Sequence, residues 1–439
     1  MGGLRARAEA YFEFPALSAT WRTEILAGCT TFMTMAYIIF VNPSILHETG
    51  MPIGAVTVAT CLAAAFGSLL MGLLARYPIA LAPGMGLNAY FTYSVVKGMG
   101  VPWQTALGAV FLSGVAFFLL TVTGARQLII GAVPPELYAA VAAGVGLFIA
   151  LIGLRNSGII TANSATLVSL GNLRSPNTLL ALFGLLLMAV LLARHIQAGI
   201  LIGIVATTIV GALTGLVHWQ PQTWHVSDLG ATAFHLDILS AAKLGALEIV
   251  FAFLFVDLFD NIGTLVAVGE KAGLIRESGQ IPRLNQIFYA DSAATIFGSL
   301  TGTSTVVSYI ESSAGVAAGG RTGITAIVTG LLFLAAIPVA PIAGAIPTGA
   351  TAPALIIVGS LMMSSVAAIR WADPSVAIPA FLTLVTIPLT YSIANGLAFG
   401  FTAYALIRIV CGEFRKVNWF VYVLVVLFIA RFYYLGKGT

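Results

Sequence analysis

Apolar residues run along this chain in long blocks separated by short polar segments. Fourteen blocks approach the ~20 residues that an α-helix needs to cross the hydrocarbon of a bilayer, although two of them are short or interrupted. The pattern predicts an all-α polytopic membrane protein. The predicted spans are 24–46, 55–75, 80–98, 102–124, 135–154, 177–194, 198–218, 239–269, 285–300, 305–319, 321–343, 351–369, 375–392 and 395–412.

A fifteenth apolar block, 419–436, is rich in aromatic residues. Such a segment either crosses the bilayer or lies along its interface. Its aromatic density and Arg431 favour an interfacial helix with the C-terminus in the cytoplasm, and the spanning alternative stays open.

Composition supports the membrane assignment. The 439 residues are 59% hydrophobic and 8% charged, whereas soluble domains carry about 25% charged residues. The net charge of +4 forms no basic run, which argues against a nucleic-acid partner. The three cysteines indicate no disulfide framework, and the five histidines show no metal-ligand spacing. No metal or cofactor site is therefore expected.

The basic residues orient the spans. With the N-terminus in the cytoplasm, fourteen of the eighteen lysines and arginines in residues 1–416 face the cytoplasm. This excess follows the positive-inside rule. The sequence predicts a multi-pass plasma-membrane protein, in the inner membrane if the organism is bacterial, with a cytoplasmic N-terminus. The four basic residues outside are Lys97, Arg155, Arg174 and Lys243.

Two pairs of segments repeat between the halves of the chain. ATCLAAAFGSL (59–69) resembles ADSAATIFGSL (290–300), and HIQAGILIG (195–203) resembles SIANGLAFG (392–400). Because each half holds seven spans, an odd number, the second copy must be inverted in the membrane. The expected fold is a 7+7 inverted repeat, and inverted repeats with interrupted helices are typical of transporters.

Three carboxylates lie within predicted spans, away from the helix ends. Asp257 and Asp260 are in LEIVFAFLFVDLFDNIGTLVAVG, and Glu311 is in GTSTVVSYIESSAGVAAGG. A carboxylate at the bilayer centre costs roughly 3 kcal/mol or more unless it is paired, neutral or in a wet cavity. Asp260 and Glu311 are therefore candidate functional residues. Asp257 lies on nearly the same helix face as Asp260 and is a candidate supporting residue.

Two predicted spans have the sequence of broken helices. The segment 80–94 carries Pro83, Gly84 and Gly86, and the segment 298–315 is rich in β-branched and small hydroxyl residues. Both patterns predict a short extended piece that leads into a half-helix. Exposed backbone at membrane depth is tolerated where it lines a protein-covered cavity. The positive end of a half-helix would favour polar ligand atoms there.

Five long motifs lie along nearly the whole chain: TTFMTMAYIIFVNP (30–43), APGMGLNAYFTYSVV (82–96), FVDLFDNIGTL (255–265), TSTVVSYIESSAGVAAGGRTG (303–323) and ADPSVAIPAFLTLVTIPLTYSIANGLAFGF (372–401). They resemble the motifs of AzgA-like purine permeases, a family of proton-coupled importers of purine bases. One departure is Asn261, where the resemblance leads us to expect threonine more often.

The resemblance implies two structural units within the inverted repeat. A core domain would hold spans 1–4 and 8–11, and a gate domain would hold spans 5–7 and 12–14. The implied division is a cytoplasmic tail (1–23), core (24–134 and 239–346), gate (135–218 and 347–416), an extracellular loop (219–238) and an interfacial or spanning C-terminal segment (417–439).

The resemblance also implies a purine site between the half-helices of spans 3 and 10, beside span 8. Two carboxyls and backbone groups would satisfy the polar edge of the base, and aromatic or apolar side chains would cover its rings. Asp260 or Glu311 would carry the coupled proton, with Asp257 as a further candidate, and protons are favoured over sodium. The implied substrate-binding residues are Asp260, Glu311, Asn88, Tyr90, Phe91, Phe259, Thr264 and Ser308.

The expected partners are a purine base, protons and the lipid bilayer, with no catalytic residue and with a homodimer as one option for the assembly. An anion or other small-solute carrier of the same architecture is the main alternative, but an anion would favour a cationic site. An intramembrane aspartyl protease needs aspartates from two helices, whereas Asp257 and Asp260 share one. A channel is disfavoured by the inverted broken helices. The preferred purine is not predicted.

Overall fold

Most of the described chain is helical. Among the described residues, eight helices are long and apolar enough to cross a bilayer, counting the two-part helix Trp21–His47 as one. Three shorter apolar helices, one less apolar helix and two broken spans complete the fourteen predicted segments within this part of the chain. The computed structural model describes residues 2–124, 133–216, 226–275 and 281–435.

The first half contains the predicted spans 1 to 7 and one small hairpin. Its elements are α1 (Gly2–Tyr11), α2 (Trp21–Met35), α3 (Ile38–His47), α4 (Ile53–Leu70) with a π-helical turn (Met71–Ala75), β1 (Leu81–Pro83), α5 (Met85–Ala89) continued by a π-helix (Tyr90–Gly98), α6 (Trp103–Val122), α7 (Pro135–Asn156), β2 (Ile160–Asn163), β3 (Leu167–Leu170), α8 (Pro176–Ala193) and α9 (Gly199–Leu213).

The second half contains spans 8 to 14 and the fifteenth apolar block. Its elements are a 3₁₀ helix (Val226–Ala231), α10 (Ile238–Ala241), α11 (Leu244–Ala272), α12 (Leu284–Thr301), β4 (Val306–Ser308), α13 (Ser312–Ala317), α14 (Gly323–Ala335), a 3₁₀ helix (Ile337–Ala345), α15 (Thr348–Met362), a 3₁₀ helix (Met363–Ala368), α16 (Pro374–Thr390), α17 (Ile393–Val410), a 3₁₀ turn (Phe414–Lys416) and α18 (Trp419–Leu435).

The predicted interruptions of spans 3 and 10 are confirmed. In each span, a three-residue strand precedes a half-helix, and β1 and β4 pair antiparallel with Ala82 opposite Val307. A side-chain hydroxyl accepts a hydrogen bond from the first residue of each strand. The Leu81 N–H donates to Ser68 Oγ at 2.9 Å, and the Val306 N–H donates to Thr295 Oγ1 at 3.2 Å. These bonds satisfy backbone groups that lipid would leave without partners.

The inverted repeat is visible in side-chain packing. Phe66 and Phe297 occupy the same position in the two FGSL segments, and their rings stack at 4.3 Å with an interplanar angle of 23°. A residue that meets its own repeat counterpart lies close to the pseudo-twofold axis. The same axis relates β1 to β4, which pair antiparallel.

The second repeated motif supports close helix packing in both halves. A Cβ added at Gly203 would lie 2.2 Å from Met188, and a Cβ added at Gly400 would lie 1.8 Å from Thr383 Oγ1. Both glycines therefore allow a helix to approach the one that precedes it in the chain. This shared requirement explains why glycine recurs at these positions.

Ion pairs lie on the two faces of the molecule that the predicted threading separates. Glu13 lies 3.3 Å from both Arg76 and Arg283, which the span count places on the N-terminal face. Lys97, predicted on the opposite face, pairs there with Glu48. These contacts agree with the predicted threading. Arg126, Arg276 and residues 219–225 of the predicted extracellular loop lie outside the described residues.

The fifteenth apolar block forms α18, which packs against α17 and α11. The Tyr422 hydroxyl donates to the carbonyl of Phe414 at 2.9 Å, and Phe432 contacts Phe399 with ring centroids 6.0 Å apart. Helix α18 therefore runs antiparallel to α17 and reaches its N-terminal half. This packing favours the spanning alternative over the interfacial one.

Candidate functional site

A small cavity lies between α5 and α11 on one side and α7 and α15 on the other. The lining side chains of α7 recur at the three- and four-residue spacing of one helix face. The lining is mostly apolar, and Asp260 is the acidic residue in it. The lining residues are Gly86, Leu87, Tyr138, Val141, Ala142, Val145, Val256, Phe259, Asp260 and Met362.

Asp260 is half-buried at this cavity, where the sequence predicted a functional carboxylate. No side chain or backbone group within the described residues forms a hydrogen bond or ion pair with its carboxylate. It lies close enough to Glu311 for the two charges to interact. Asp260 is therefore free to accept hydrogen bonds from a ligand in the cavity.

Glu311 lies immediately before α13 and is half-buried. Its Oε1 accepts a hydrogen bond of 2.5 Å from the hydroxyl of Tyr37, which is fully buried at the break between α2 and α3. The structure thus brings Glu311 near Asp260 but gives its carboxylate a protein donor, and Glu311 is not among the cavity-lining residues.

Phe259 lines the cavity and meets Tyr138 edge to face, with centroids 4.5 Å apart and an interplanar angle of 87°. Aromatic pairs prefer such offset or T-shaped geometry. Because Phe259 is on α11 and Tyr138 is on α7, the contact joins the two sides of the cavity. A flat ligand bound here would meet both rings.

The residues predicted in span 3 lie deeper in the helix bundle than the cavity wall. Asn88 is fully buried, and its Nδ2 donates to Asn42 Oδ1 at 2.9 Å. Tyr90 and Phe91 are fully buried as well, and both rings contact Phe253. The structure therefore places these three side chains beside the cavity rather than at its surface.

The remaining predicted residues surround Asp260 on α11 and β4. Asp257 and Thr264 are buried one turn before and one turn after it. Ser308 is buried at the end of β4, and its Oγ has no hydrogen-bond partner within the described chain. Within the described residues, no three His, Cys, Asp or Glu side chains converge as metal ligands.

The structure adds residues that the sequence analysis did not select. Tyr37 holds Glu311, and Tyr138 and Met362 line the cavity. Asp291 is a fully buried carboxylate on α12 that interacts electrostatically with Asp257. Asp291 carried a usable signal, because it lies within the predicted span 285–300 and meets the criterion applied to Asp260. Tyr37, Tyr138 and Met362 carried none beyond their apolar surroundings.

Sequence comparison gives a consistent result over nearly the full chain. The Permease family profile matches residues 22–429. A putative permease of Methanocaldococcus jannaschii is 52% identical, over 98% of both chains. The adenine permease AdeP of Escherichia coli is 46% identical over 96% of this chain and 95% of its own. The guanine/hypoxanthine permease PbuG of Bacillus subtilis is 47% identical over 97% and 99%.

Solved structures agree at the level of the fold. The transmembrane domain of the cyanobacterial bicarbonate transporter BicA superposes with a TM-score of 0.65, covering 87% of this chain and 98% of its own. Its sequence identity of 16% carries no information on substrate. Together with the two broken spans and the antiparallel pairing of β1 with β4, this structural similarity confirms the predicted 7+7 inverted repeat. The chain therefore belongs to the Permease family, as its resemblance to AzgA-like purine permeases predicted, and is a multi-pass membrane transporter rather than an enzyme.

Proposed function

We propose that this chain imports purine bases by proton symport and binds the base in the cavity beside Asp260. One observation carries the proposal: a carboxylate with no protein hydrogen-bond partner among the described residues faces a cavity lined by aromatic and apolar side chains. The relatives named as adenine and guanine/hypoxanthine permeases support purines as the substrate class.

The chemistry of a purine base fits this lining. Its N–H groups can donate to the carboxylate of Asp260 at the cavity and to that of Glu311, which is near Asp260 but outside the cavity lining, and its flat faces are apolar. Phe259 and Tyr138 offer ring surfaces on either side of the cavity. The lining therefore suits a flat heterocycle that carries N–H donors.

Proton coupling is proposed from the charges of the site. No lysine or arginine is among the cavity-lining residues, and Asp260 and Glu311 interact as like charges. Two neighbouring carboxylates share a titration, and a proton bound by the pair removes their repulsion. An anion carrier would favour a cationic site, so the acidic cavity disfavours that alternative.

Transport would follow from movement of the core against the gate. The cavity lies where the proposed core (α5 and α11) meets the proposed gate (α7 and α15). Pairing of β1 with β4 ties the two half-helices together, so they would move as one body. The proposal places the protein in the plasma membrane, with its N-terminal face in the cytoplasm.

Polar contacts join core to gate on the face opposite the N-terminus. The Tyr93 hydroxyl donates to Glu48 Oε1 at 2.6 Å, and Lys97 pairs with the same carboxylate. Asn156, at the end of α7, donates its Nδ2 to the Tyr93 hydroxyl at 2.9 Å and to Glu48 at 3.2 Å. We call Glu48, Tyr93, Lys97 and Asn156 the outer cluster. These bonds stabilise a state closed on this face.

Replacing Asn156 with alanine should weaken this closure. It removes two hydrogen bonds between core and gate, each worth about 1 kcal/mol, so the ratio of open to closed states should rise roughly 5- to 30-fold. Amide hydrogen exchange, followed by mass spectrometry, should accelerate in residues 90–98 and 150–156. The exposed Gln197 on the other face provides a control, Gln197→Ala. Equal exchange in both variants would rule out a closing role for the outer cluster.

The proposed function is tested with purified protein in vesicles. Labelled adenine should accumulate when the exterior is made acidic, and unlabelled guanine, hypoxanthine and xanthine should compete according to their affinities. Vesicles preloaded with adenine should accelerate labelled uptake by counterflow, as expected for a carrier. Uracil and bicarbonate serve as non-purine controls. Uptake that no purine inhibits, or that ignores the pH gradient, would contradict the proposal.

A further inference from the structure

Asn261 is fully buried and directly follows Asp260 on α11. Its side-chain amide donates one hydrogen bond and accepts another. The Nδ2 donates to Asp257 Oδ1 at 2.9 Å, and the Oδ1 accepts a hydrogen bond of 3.1 Å from the Ser308 N–H. Rotating the amide by half a turn would place oxygen against carboxylate and N–H against N–H. The two contacts therefore fix one orientation of the Asn261 side chain.

Of these two contacts, the one with Ser308 joins α11 to β4, and the one with Asp257 lies within α11. Ser308 ends β4, three residues before Glu311, and Asp257 lies one turn before Asp260 on α11. Other contacts near this strand lead to span 3 instead: the Tyr309 N–H donates to the carbonyl of Ala80 at 3.0 Å. Asn261 thus connects α11 directly to the broken segment of span 10.

We propose that Asn261 is a positioning residue: it ties the end of β4 to α11 while Asp257 holds its amide in the orientation that this requires, and it thereby sets the separation of Asp260 and Glu311. The inference rests on the proposed function, since it concerns the purine site. Asn261 does not line the cavity, so it acts on the ligand through the two carboxylates.

The side chain at this position decides whether the link forms. Threonine has one hydroxyl on a shorter side chain. In a helix that hydroxyl bonds to a backbone carbonyl of the preceding turn. It therefore cannot donate to Asp257 and accept from the Ser308 N–H in the same geometry. This chain positions its two carboxylates with a device that a threonine at 261 would lack.

The first test replaces Asn261 and measures the Kd for adenine by calorimetry or a scintillation-proximity assay. Asn261→Thr should weaken binding about 5- to 15-fold, since it removes interactions of typical hydrogen-bond strength. Asn261→Asp should weaken it further, because a second carboxylate would then lie against Asp257. Wild-type affinity in Asn261→Thr would overturn the proposal.

A reciprocal exchange separates positioning from a general effect on folding. The double variant Asp257→Asn/Asn261→Asp keeps the net charge and restores both bonds, with residue 257 now the donor and residue 261 accepting from both partners. Its Kd should return to within about threefold of wild type. A double variant as weak as Asn261→Asp alone would overturn the proposal.

A second readout does not depend on the substrate. Amide hydrogen exchange of residues 306–311 should accelerate in Asn261→Thr and return toward wild type in the double variant. If wild-type protein binds no purine, the proposed function fails, while this exchange still reports whether Asn261 holds β4. Unchanged exchange in Asn261→Thr would show that Asn261 does not hold the strand.

Discussion

Replacing Asp260 with asparagine is expected to reduce net purine uptake to the level of vesicles without protein. Asparagine keeps the size of the side chain but cannot ionise or carry a proton through the transport cycle. Because Asp260 is half-buried and makes no hydrogen bond or ion pair within the described residues, little folding energy depends on its charge. The variant should therefore insert and fold normally. Uptake of labelled adenine into vesicles with an acidic exterior, normalised to protein abundance, measures the effect.

The same helix offers a matched control. Glu270 is an exposed carboxylate near the end of α11, and Glu270→Gln makes the same chemical change away from the cavity. It should transport at the wild-type rate. Wild-type uptake in Asp260→Asn would remove Asp260 from the mechanism, whereas an equal loss in both variants would point to a general effect of charge on α11.

Replacing Glu311 with glutamine should weaken purine binding by about 1.5–3 kcal/mol, the strength of a hydrogen bond to a charged group, or roughly 10- to 150-fold in Kd. Glutamine keeps the shape and one acceptor oxygen but loses the charge and gains a donor. Titration of purified protein with adenine, guanine and hypoxanthine measures the change. Unchanged affinity for every base would remove Glu311 from the site.

Tyr37 provides the companion variant for Glu311. Tyr37→Phe removes the hydroxyl that donates to Glu311 Oε1 and leaves the carboxylate in place. The carboxylate remains able to accept from a base, so affinity should fall less than in Glu311→Gln. A larger loss in Tyr37→Phe would mean that the buried hydroxyl, rather than the carboxylate, determines binding.

The fold was predictable because a bilayer imposes length and polarity on each span. The run of apolar residues in α7, for example, needs no tertiary information to be recognised. The break in span 3 was predictable for a local reason, since Pro83 and Gly84 disfavour a continuous helix. Asp260 was predictable because a carboxylate within an apolar span needs an explanation.

Other parts of the site depend on contacts between distant segments. Tyr37 and Glu311 are 274 residues apart, and nothing in either motif indicates that the hydroxyl meets the carboxylate. Tyr138 resembles any aromatic residue in an apolar helix until α7 is packed against α11. Asn88 illustrates the reverse case: the family resemblance implied a ligand contact for it, but Asn42 on α3 engages its amide nitrogen.

The stacking of Phe66 on Phe297 bears on how the two halves diverged. In an assembly of two identical copies, one substitution on the symmetry axis would change both partners at once. Joining the copies into one chain removes that constraint, so counterparts such as Thr60 and Asp291 in the same repeated segment differ. Asp291 is fully buried in the second half, whereas Thr60 at the equivalent position accepts a hydrogen bond from Asn42 in the first half. A single fused chain can thus place a charge on one side of the axis without placing it on both.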